Sequence, residues 1–212
     1  MIVPGGDLAG LLDRLAGGHV PPADASVTVL PAPMGARAVV VGGTAWHVVA
    51  ADVDPAWVAA GVAHDPIAAP LGARFLAALA DRVGAEPGVL DAVLVAPPSS
   101  GGPGIDLRPA ELDHHPRVRR ALLHRTDVLI WATADGAGLL VLGRGVAGRC
   151  EVSVEVDPAA RGRGLGTALV AAAPALADEP VWSQVAPANT ASLRAFLGAG
   201  YRPVAAEVLF GP

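Results

Sequence analysis

The fold of the second half of this chain is decided by the stretch VDPAARGRGLGTALVAAA, Val156 to Ala173. A strand-like approach leads into a turn with three glycines in five residues, and an apolar run at helical spacing follows. Arg161 and Arg163 stand where the helix begins, and a cation there opposes the positive end of the helix dipole at a cost of about 0.3 to 1 kcal/mol. A negatively charged partner would reverse the sign of that cost.

The three glycines of the turn favour close approach of a ligand to the backbone. Gly162, Gly164 and Gly166 carry no side chains that would hold a ligand away, so the free amides of the first helical turn can point at phosphate oxygens. The turn therefore predicts an anion site, most simply for a phosphate. The alternative is a solvated basic turn whose glycines only ease the bend.

Two common phosphate loops do not fit this turn. A Walker loop requires GxxxxGK followed by Ser or Thr, and no such lysine is present. A dinucleotide fingerprint requires a third glycine where Thr167 stands and an acid at the end of the next strand, whereas Asp178 and Glu179 precede that strand. The sequence thus predicts neither ATP hydrolysis nor a nicotinamide cofactor.

The sequence around the turn predicts alternating strands and helices. Asp113 to Pro116 is typical of a helix start, and that helix continues to about Arg125. Further helices are predicted over Leu165 to Leu176 and over NTASLRAFLGAG. The predicted strands are DVLIWAT, LLVLG, CEVSVEVD, VWSQVAP and YRPVAAEVLF. This order predicts an α/β fold in which a mixed sheet carries helices on both faces.

These residues resemble the GCN5-related N-acetyltransferase (GNAT) family, whose members transfer an acyl group from acyl-coenzyme A to an amine. The phosphate loop of that family has Gln or Arg, two residues, Gly, one residue, and then Gly or Ala. Arg161, Gly164 and Gly166 fill those places.

The resemblance continues on both sides of the loop. VEVDP is similar to the family's fourth strand, which ends with a proline before the loop. Asn189 and Ser192 resemble the start of the family's next helix, which finishes in a glycine and an aromatic residue, here Tyr201. The resemblance covers roughly Asp113 to Phe210 and implies the GNAT acyl-CoA N-acyltransferase fold for the C-terminal half.

The resemblance also implies which residues bind the co-substrate, acetyl-CoA or another acyl-CoA. The loop amides would hold the pyrophosphate, and the backbone of Val154 to Val156 would pair with the pantetheine arm where two strands part. Asn189 would hydrogen-bond the arm near its middle, and Ser192 would reach it one turn later; the alternative for Asn189 is that it only caps its helix. The implied set is Val154, Glu155, Val156, Arg161, Gly162, Arg163, Gly164, Leu165, Gly166, Asn189 and Ser192.

The catalytic groups depart from the family pattern. Direct attack needs a neutral amine, and because a free amine has a pKa of about 10.4, a base or a water chain must remove a proton. Many family members place a tyrosine as proton donor in the helix that the asparagine begins, but that position is Phe196 here, which leaves water or Ser192. Glu151 and Glu155 are the candidate bases, on a strand that carries a bulge in the family. The alternative is that both glutamates are solvated.

Composition limits the partners. The chain has 212 residues and a net charge of −5, which predicts binding to neither nucleic acid nor an anionic membrane. No signal peptide or membrane span is predicted, so we expect a cytoplasmic protein.

Cys150 is the only cysteine, which excludes an internal disulfide and a thiolate cluster, and no metal is expected. Arg117, Arg119 and Arg120 are expected to form the solvated face of a helix.

The stretch APPSSGGPG, Ala96 to Gly104, predicts a boundary between an N-terminal α/β region, residues 1–104, and a GNAT-like domain, residues 105–212. Within the first region, HDPIAAPLGARFLAALA is weakly similar in sequence to the loop and helix that follow Val156. This region is therefore a degenerate first copy of a tandem acetyltransferase, an unrelated segment with chance similarity, or a wall of the acceptor pocket.

Two functions fit these observations. The first is an N-acyltransferase that binds an acyl-CoA and an amine of a small molecule or a protein, as a monomer or homodimer. The second is an acyl-CoA binding or sensing protein without activity, which Phe196 in the tyrosine position favours.

Overall fold

The structure of the protein is a computed structural model that describes residues 6–211. The chain divides into two compact units, one formed by the chain up to Val93 together with Val204 onward, and the other by Leu94–Pro203. The predicted division into residues 1–104 and 105–212 stays a prediction. The predicted fold class is confirmed, since helices alternate with strands that pair in both parallel and antiparallel fashion.

The helices and strands are numbered in chain order. The helices are α1 Leu8–Ala16, α2 Pro55–Val62, α3 Ala73–Val83, α4 Pro116–His124, α5 Leu165–Ala172 and α6 Thr190–Gly198. The strands are β1 Ser26–Leu30, β2 Ala38–Gly43, β3 Trp46–Ala51, β4 Asp91–Ala96, β5 Leu107–Pro109, β6 Thr126–Thr133, β7 Gly138–Arg144, β8 Cys150–Val156, β9 Val181–Val185 and β10 Arg202–Phe210.

The first unit is built on strands in the order β1, β3, β2, β10. The strands β2 and β3 form an antiparallel hairpin in which nearly every residue is buried, which fits their runs of valine and alanine. Gly42 and Gly43 are required by packing, because a Cβ atom there would lie 2.5 Å from the ring of His47 and 2.3 Å from that of Trp46. Helices α2 and α3 cover one face of these strands, with Leu79 fully buried among valines.

The second unit is built around the antiparallel strands β6, β7 and β8. β5 pairs with β6 at the edge, and β9 pairs in parallel with β8. Helix α4 packs on the face that carries Leu139 and Val141, whereas Leu165 and Leu169 of α5 lie over Gly138, which points to the other face. The prediction of helices on both faces is confirmed for this unit.

The two segments that are similar in sequence, one after Asp65 and one after Asp157, have partly similar structures. The segment after Asp65 forms a 3-10 turn, helix α3 and then β4, and the segment after Asp157 forms a 3-10 turn, helix α5 and then β9. The segments before the two aspartates differ, because helix α2 precedes Asp65 and strand β8 precedes Asp157. The tandem interpretation stays a prediction.

Helix α1 was not among the predicted elements, although its sequence carries the signals. Asp7 accepts a hydrogen bond from the Gly10 amide at 2.8 Å and caps the helix. The leucines at positions 8, 11, 12 and 15 follow the helical period and are all buried. The helix is therefore part of the core of the first unit.

The burial of α1 predicts that Leu15→Ala destabilises the protein. The Leu15 side chain has no exposed surface, so its truncation should lower the free energy of unfolding by about 2 to 5 kcal/mol through lost burial and a cavity. Urea denaturation followed by circular dichroism measures the change. The exposed Asp13→Ala on the same helix is the matched control and should change stability little; equal effects of the two substitutions would contradict the packing described here.

Candidate active site

The glycine-rich loop between β8 and α5 has the geometry of an anion site. Gly162 and Gly164 have φ angles of +76° and +83°, in the left-handed region that favours glycine. Gly164 is the N-cap residue of helix α5, and no side chain caps that helix. Within the described chain, the amides of Leu165, Gly166 and Thr167 donate to no acceptor. Several N–H donors therefore remain available at the positive end of a helix dipole.

Strand β8 has an open edge beside this loop. Its pairing with β9 consists of Cys150 with Val181 and Glu151 with Trp182, after which the two strands separate. From Val152 to Val156 the strand is paired on its β7 side alone. An open edge presents backbone N–H and C=O groups in an extended row, which is how an extended amide chain is bound. The sequence prediction that two strands part here is consistent with this geometry.

The bulge that this strand carries in the family does not occur between Cys150 and Val156 on the edge that β7 covers. Pairing runs without interruption from Gly138 opposite Val156 to Arg144 opposite Cys150. The strand therefore keeps a strict alternation, and Glu151, Ser153 and Glu155 share the face that helix α4 covers.

A cavity of about 570 Å³ lies between the loop, the open edge of β8 and helix α6. It brings together most of the residues predicted to bind the co-substrate. Those that line it are Val154, Glu155, Val156, Arg161, Gly162, Gly164, Leu165, Gly166, Asn189 and Ser192. Arg163 is exposed outside the cavity lining, and Glu151 does not line it either. Lining residues that were not predicted to bind include Arg117 and Thr167.

Asn189 performs the capping role and keeps a free donor. Its Oδ1 atom accepts a hydrogen bond from the Ser192 amide at 3.2 Å and so caps helix α6. Its side-chain nitrogen has no partner in the part of the chain that the structure describes. Capping and ligand binding, the two alternatives weighed from sequence, are thus compatible at this residue.

Glu155 lines the cavity and is paired with Arg117. The Arg117 Nε–H group donates to Glu155 Oε2 at 3.1 Å, and both side chains are a little over one third exposed. The interpretation of Arg117 as part of a solvated helix face is therefore wrong, because α4 lies on the same face of the sheet as Glu155. A signal was present in the sequence: Arg117 stands in the first turn of α4, where a cation opposes the helix dipole.

Glu151 occupies a buried pocket built around its carboxylate. Arg125 Nε–H donates to Oε2 at 3.0 Å and Arg149 Nε–H donates to Oε1 at 2.8 Å. The Glu151 side chain is only 5% exposed, so the alternative of a solvated position is wrong for this residue. Gly145 makes room for it, since a Cβ atom there would lie 2.1 Å from the carboxyl carbon. Arg125 also donates to Ser153 Oγ at 3.2 Å.

Phe196 lines the cavity, whereas the hydroxyl of Tyr201, the one tyrosine of the sequence, is hydrogen-bonded inside the protein. The rings of Phe196 and Tyr201 meet edge to face with centroids 4.9 Å apart. The Tyr201 hydroxyl donates to the Val170 carbonyl at 3.4 Å inside the protein, and burial raises the pKa of this phenol well above its ordinary value. Tyr201 is therefore not placed to donate a proton in the cavity.

The fold and the cavity define the class of this unit: an α/β domain in which a helix N-terminus with unpaired amides lies beside an open strand edge. Residues 108–201 match the family model described as Acetyltransferase (GNAT) family. This segment is a GNAT acetyltransferase domain, as the sequence resemblance implied, and members of this family use an acyl-CoA as co-substrate.

Similar solved structures carry GNAT descriptions. A GNAT-family protein from Novosphingobium aromaticivorans shares 21% identity at TM-score 0.42, covering 60% of this chain and 66% of its own. A GCN5-related N-acetyltransferase from Sphaerobacter thermophilus shares 21% identity at TM-score 0.41, covering 66% of this chain and 56% of its own. One from Kribbella flavida shares 16% identity at TM-score 0.41, covering 98% and 97%. The chain thus spans less than two thirds of the length of the first two. No curated protein matches the chain.

Residues 6–211 offer neither a cluster of metal-ligating side chains nor a membrane-spanning helix. No three side chains among His, Cys, Asp and Glu are grouped there so that they could hold a metal ion. None of the helices described in that range is long and apolar enough to cross a bilayer.

Cys150 is predicted to be unreactive in the folded protein. Burial raises the pKa of its thiol to about 11, so at pH 8 only about one molecule in a thousand carries the reactive thiolate. We expect Ellman's reagent to label the native protein slowly and the urea-unfolded protein within the mixing time. Rapid labelling of the native protein would show that β8 opens at its first residue.

The two glutamates are predicted to differ in their effect on stability. Glu151→Gln removes the buried charge that the buried Arg149 and the largely buried Arg125 share, and it should lower the free energy of unfolding by about 3 to 5 kcal/mol. Glu155→Gln breaks a half-exposed pair and should cost about 1 kcal/mol or less. Denaturant unfolding of both variants tests this difference, and a larger effect at Glu155 would contradict it.

Proposed function

We propose that the protein transfers an acyl group from acetyl-CoA, or a related acyl-CoA, to an amine by direct attack of the amine nitrogen. The observation that carries the proposal is the cavity in which free loop amides, an open strand edge and a free Asn189 donor converge. The GNAT assignment of residues 108–201 supports the same reaction class.

The residues present fit an acyl-CoA. The amides from Gly162 to Thr167 would hold the pyrophosphate, because they are unpaired donors at a helix N-terminus. The backbone of Val154 to Val156 would pair with the amides of the pantetheine arm, since that edge of β8 lacks a strand partner. Asn189 would donate to the same arm through its side-chain nitrogen, and Ser192 lies one turn along on the cavity wall.

Glu155 is the proposed general base. When bound, the acyl-CoA supplies an activated thioester, and what the protein must supply is a neutral amine and a proton for the departing thiolate. Glu155 lines the cavity and can accept the amine proton, whereas both oxygens of Glu151 are occupied by guanidinium groups outside the cavity. We assign Glu151 to holding Arg125 and Arg149 in place beside β8.

Ser192 is the proposed proton donor for the departing thiolate. Ser192 lines the cavity together with Phe196, whose phenyl ring has no proton to give. Water is the alternative donor, as the sequence already indicated.

The chemistry proposed here involves no metal ion. The proposed acceptor is an amine of a small molecule or of a protein. We also propose that the protein is cytoplasmic, is a monomer or homodimer, and binds neither nucleic acid nor membrane. The negative charge of −5 supports the absence of attraction to polyanions.

A second candidate is an acyl-CoA binding protein without transferase activity. It is favoured by Phe196, which stands on the cavity wall where a tyrosine would supply a proton. Both candidate functions use the same acyl-CoA binding site, and they differ only in whether the acyl group is transferred to an amine.

Calorimetric titration of acetyl-CoA tests the binding site. We expect micromolar binding by the parent protein and at least a tenfold loss in the double variant Arg161→Ala, Gly164→Ala, which removes the Arg161 side chain and strains a backbone with φ of +83°. Arg194→Ala removes an equal charge from an exposed position on α6 and should bind as the parent does. No binding by any of the proteins would contradict both candidate functions.

Thiol release upon mixing with amines then separates the two functions. Steady release of free coenzyme A with an amine, reduced by a factor of about 100 or more in Glu155→Gln, would support the transferase with Glu155 as base. Tight binding without release for any amine would support the binding protein instead.

A further inference from the structure

Arg117 has unused hydrogen-bonding capacity inside the cavity. Its Nε–H group binds Glu155, but the two terminal nitrogens of its guanidinium have no partner in the described range. The side chain lines the cavity and is 36% exposed. Two parallel N–H donors of this kind match the two oxygens of a carboxylate, and charged pairs of this geometry are the stronger hydrogen bonds.

Glu155 also has an unused atom. Oε2 accepts from Arg117, and Oε1 has no partner among residues 6–211. The cavity wall thus presents a cationic fork and an anionic oxygen side by side, fixed to each other by the 3.1 Å bond between them. A bound molecule that complements both carries an anionic group and a cationic group close together.

We propose that the acceptor is a free α-amino acid, whose carboxylate binds the Arg117 fork and whose ammonium group faces Glu155 Oε1. This inference rests on the proposed function and names the substrate class of the same site. In an α-amino acid the two charged groups are attached to one carbon, which matches a fork and a carboxylate that touch each other. A simple amine or polyamine would leave the guanidinium fork unsatisfied, and the positive charge of Arg117 would repel it.

The pair also provides the proton path that acyl transfer requires. Glu155 accepts one proton from the ammonium group, and the neutral nitrogen then forms a bond to the acyl carbon while the bond from that carbon to sulfur breaks. A second proton leaves the nitrogen to water, and the thiolate takes up a proton from Ser192 or water. The products are an N-acyl amino acid and free coenzyme A.

The test compares amino acids with the amines that remain when their carboxylate is removed. Suitable pairs are lysine and cadaverine, tyrosine and tyramine, histidine and histamine, and glutamate and γ-aminobutyrate, within a panel of all common amino acids. We expect at least one amino acid to be acetylated with a kcat/KM at least tenfold higher than that of its partner amine. Arg117→Gln should bring the ratio of the two kcat/KM values close to one, mainly by raising KM for the amino acid.

The matched control is Arg120→Gln, which removes the same charge from an exposed position on the same helix and should keep the preference. Acetyl-CoA titration of every variant separates two kinds of failure. If acetyl-CoA does not bind the parent protein, the proposed function is overturned together with this inference. If acetyl-CoA binds but amines are acetylated as well as or better than amino acids, or no amino acid is acetylated, the amino acid assignment is overturned while the co-substrate site stands.

Discussion

The separation of β8 from β9 after two residue pairs is the constraint on which the candidate site depends. A sheet that remained paired along its whole length would bury the backbone of Val154 to Val156 in strand hydrogen bonds. Because the strands part, these groups face a cavity, and the loop that follows β8 carries unpaired amides to the same place. The open edge is short, since it runs from Val152 to Val156 alone, and its last three residues line the cavity.

The face of β8 that helix α4 covers carries two glutamates, and each forms an ion pair with an arginine in α4 or directly after it. Arg117 meets Glu155 and Arg125 meets Glu151, so two ion pairs link one helix to one strand. Their environments differ: the inner pair is buried and shared with Arg149, whereas the outer pair is half exposed in the cavity. A buried pair holds its partners in place, while a half-exposed pair can exchange a contact for one with a ligand. The two glutamates of one strand therefore serve different ends.

The sequence predicted the parts of the site that depend on local geometry. The glycine turn, the helix after it and the cap at Asn189 follow from short-range rules, and the structure places them as expected. What the sequence could not supply is the identity of partners far apart in the chain. Arg117 and Glu155 are 38 residues apart, and no periodicity relates them. The face that Glu151 occupies was predictable from alternation, but its burial depends on Gly145 and two arginines from separate segments.

The side chain of Asn189 at the start of α6 can cap the helix and bind a ligand with different atoms. Aspartate and serine would cap the helix as well as asparagine does, since each offers an oxygen to the Ser192 amide. Asparagine is the one of the three that also turns two N–H bonds outward without adding charge. If the cavity holds an amide-rich, polyanionic molecule, aspartate would repel it and serine would be too short to span both tasks. Asparagine therefore suits this position, because its side-chain oxygen can cap the helix while its side-chain nitrogen donates to a ligand.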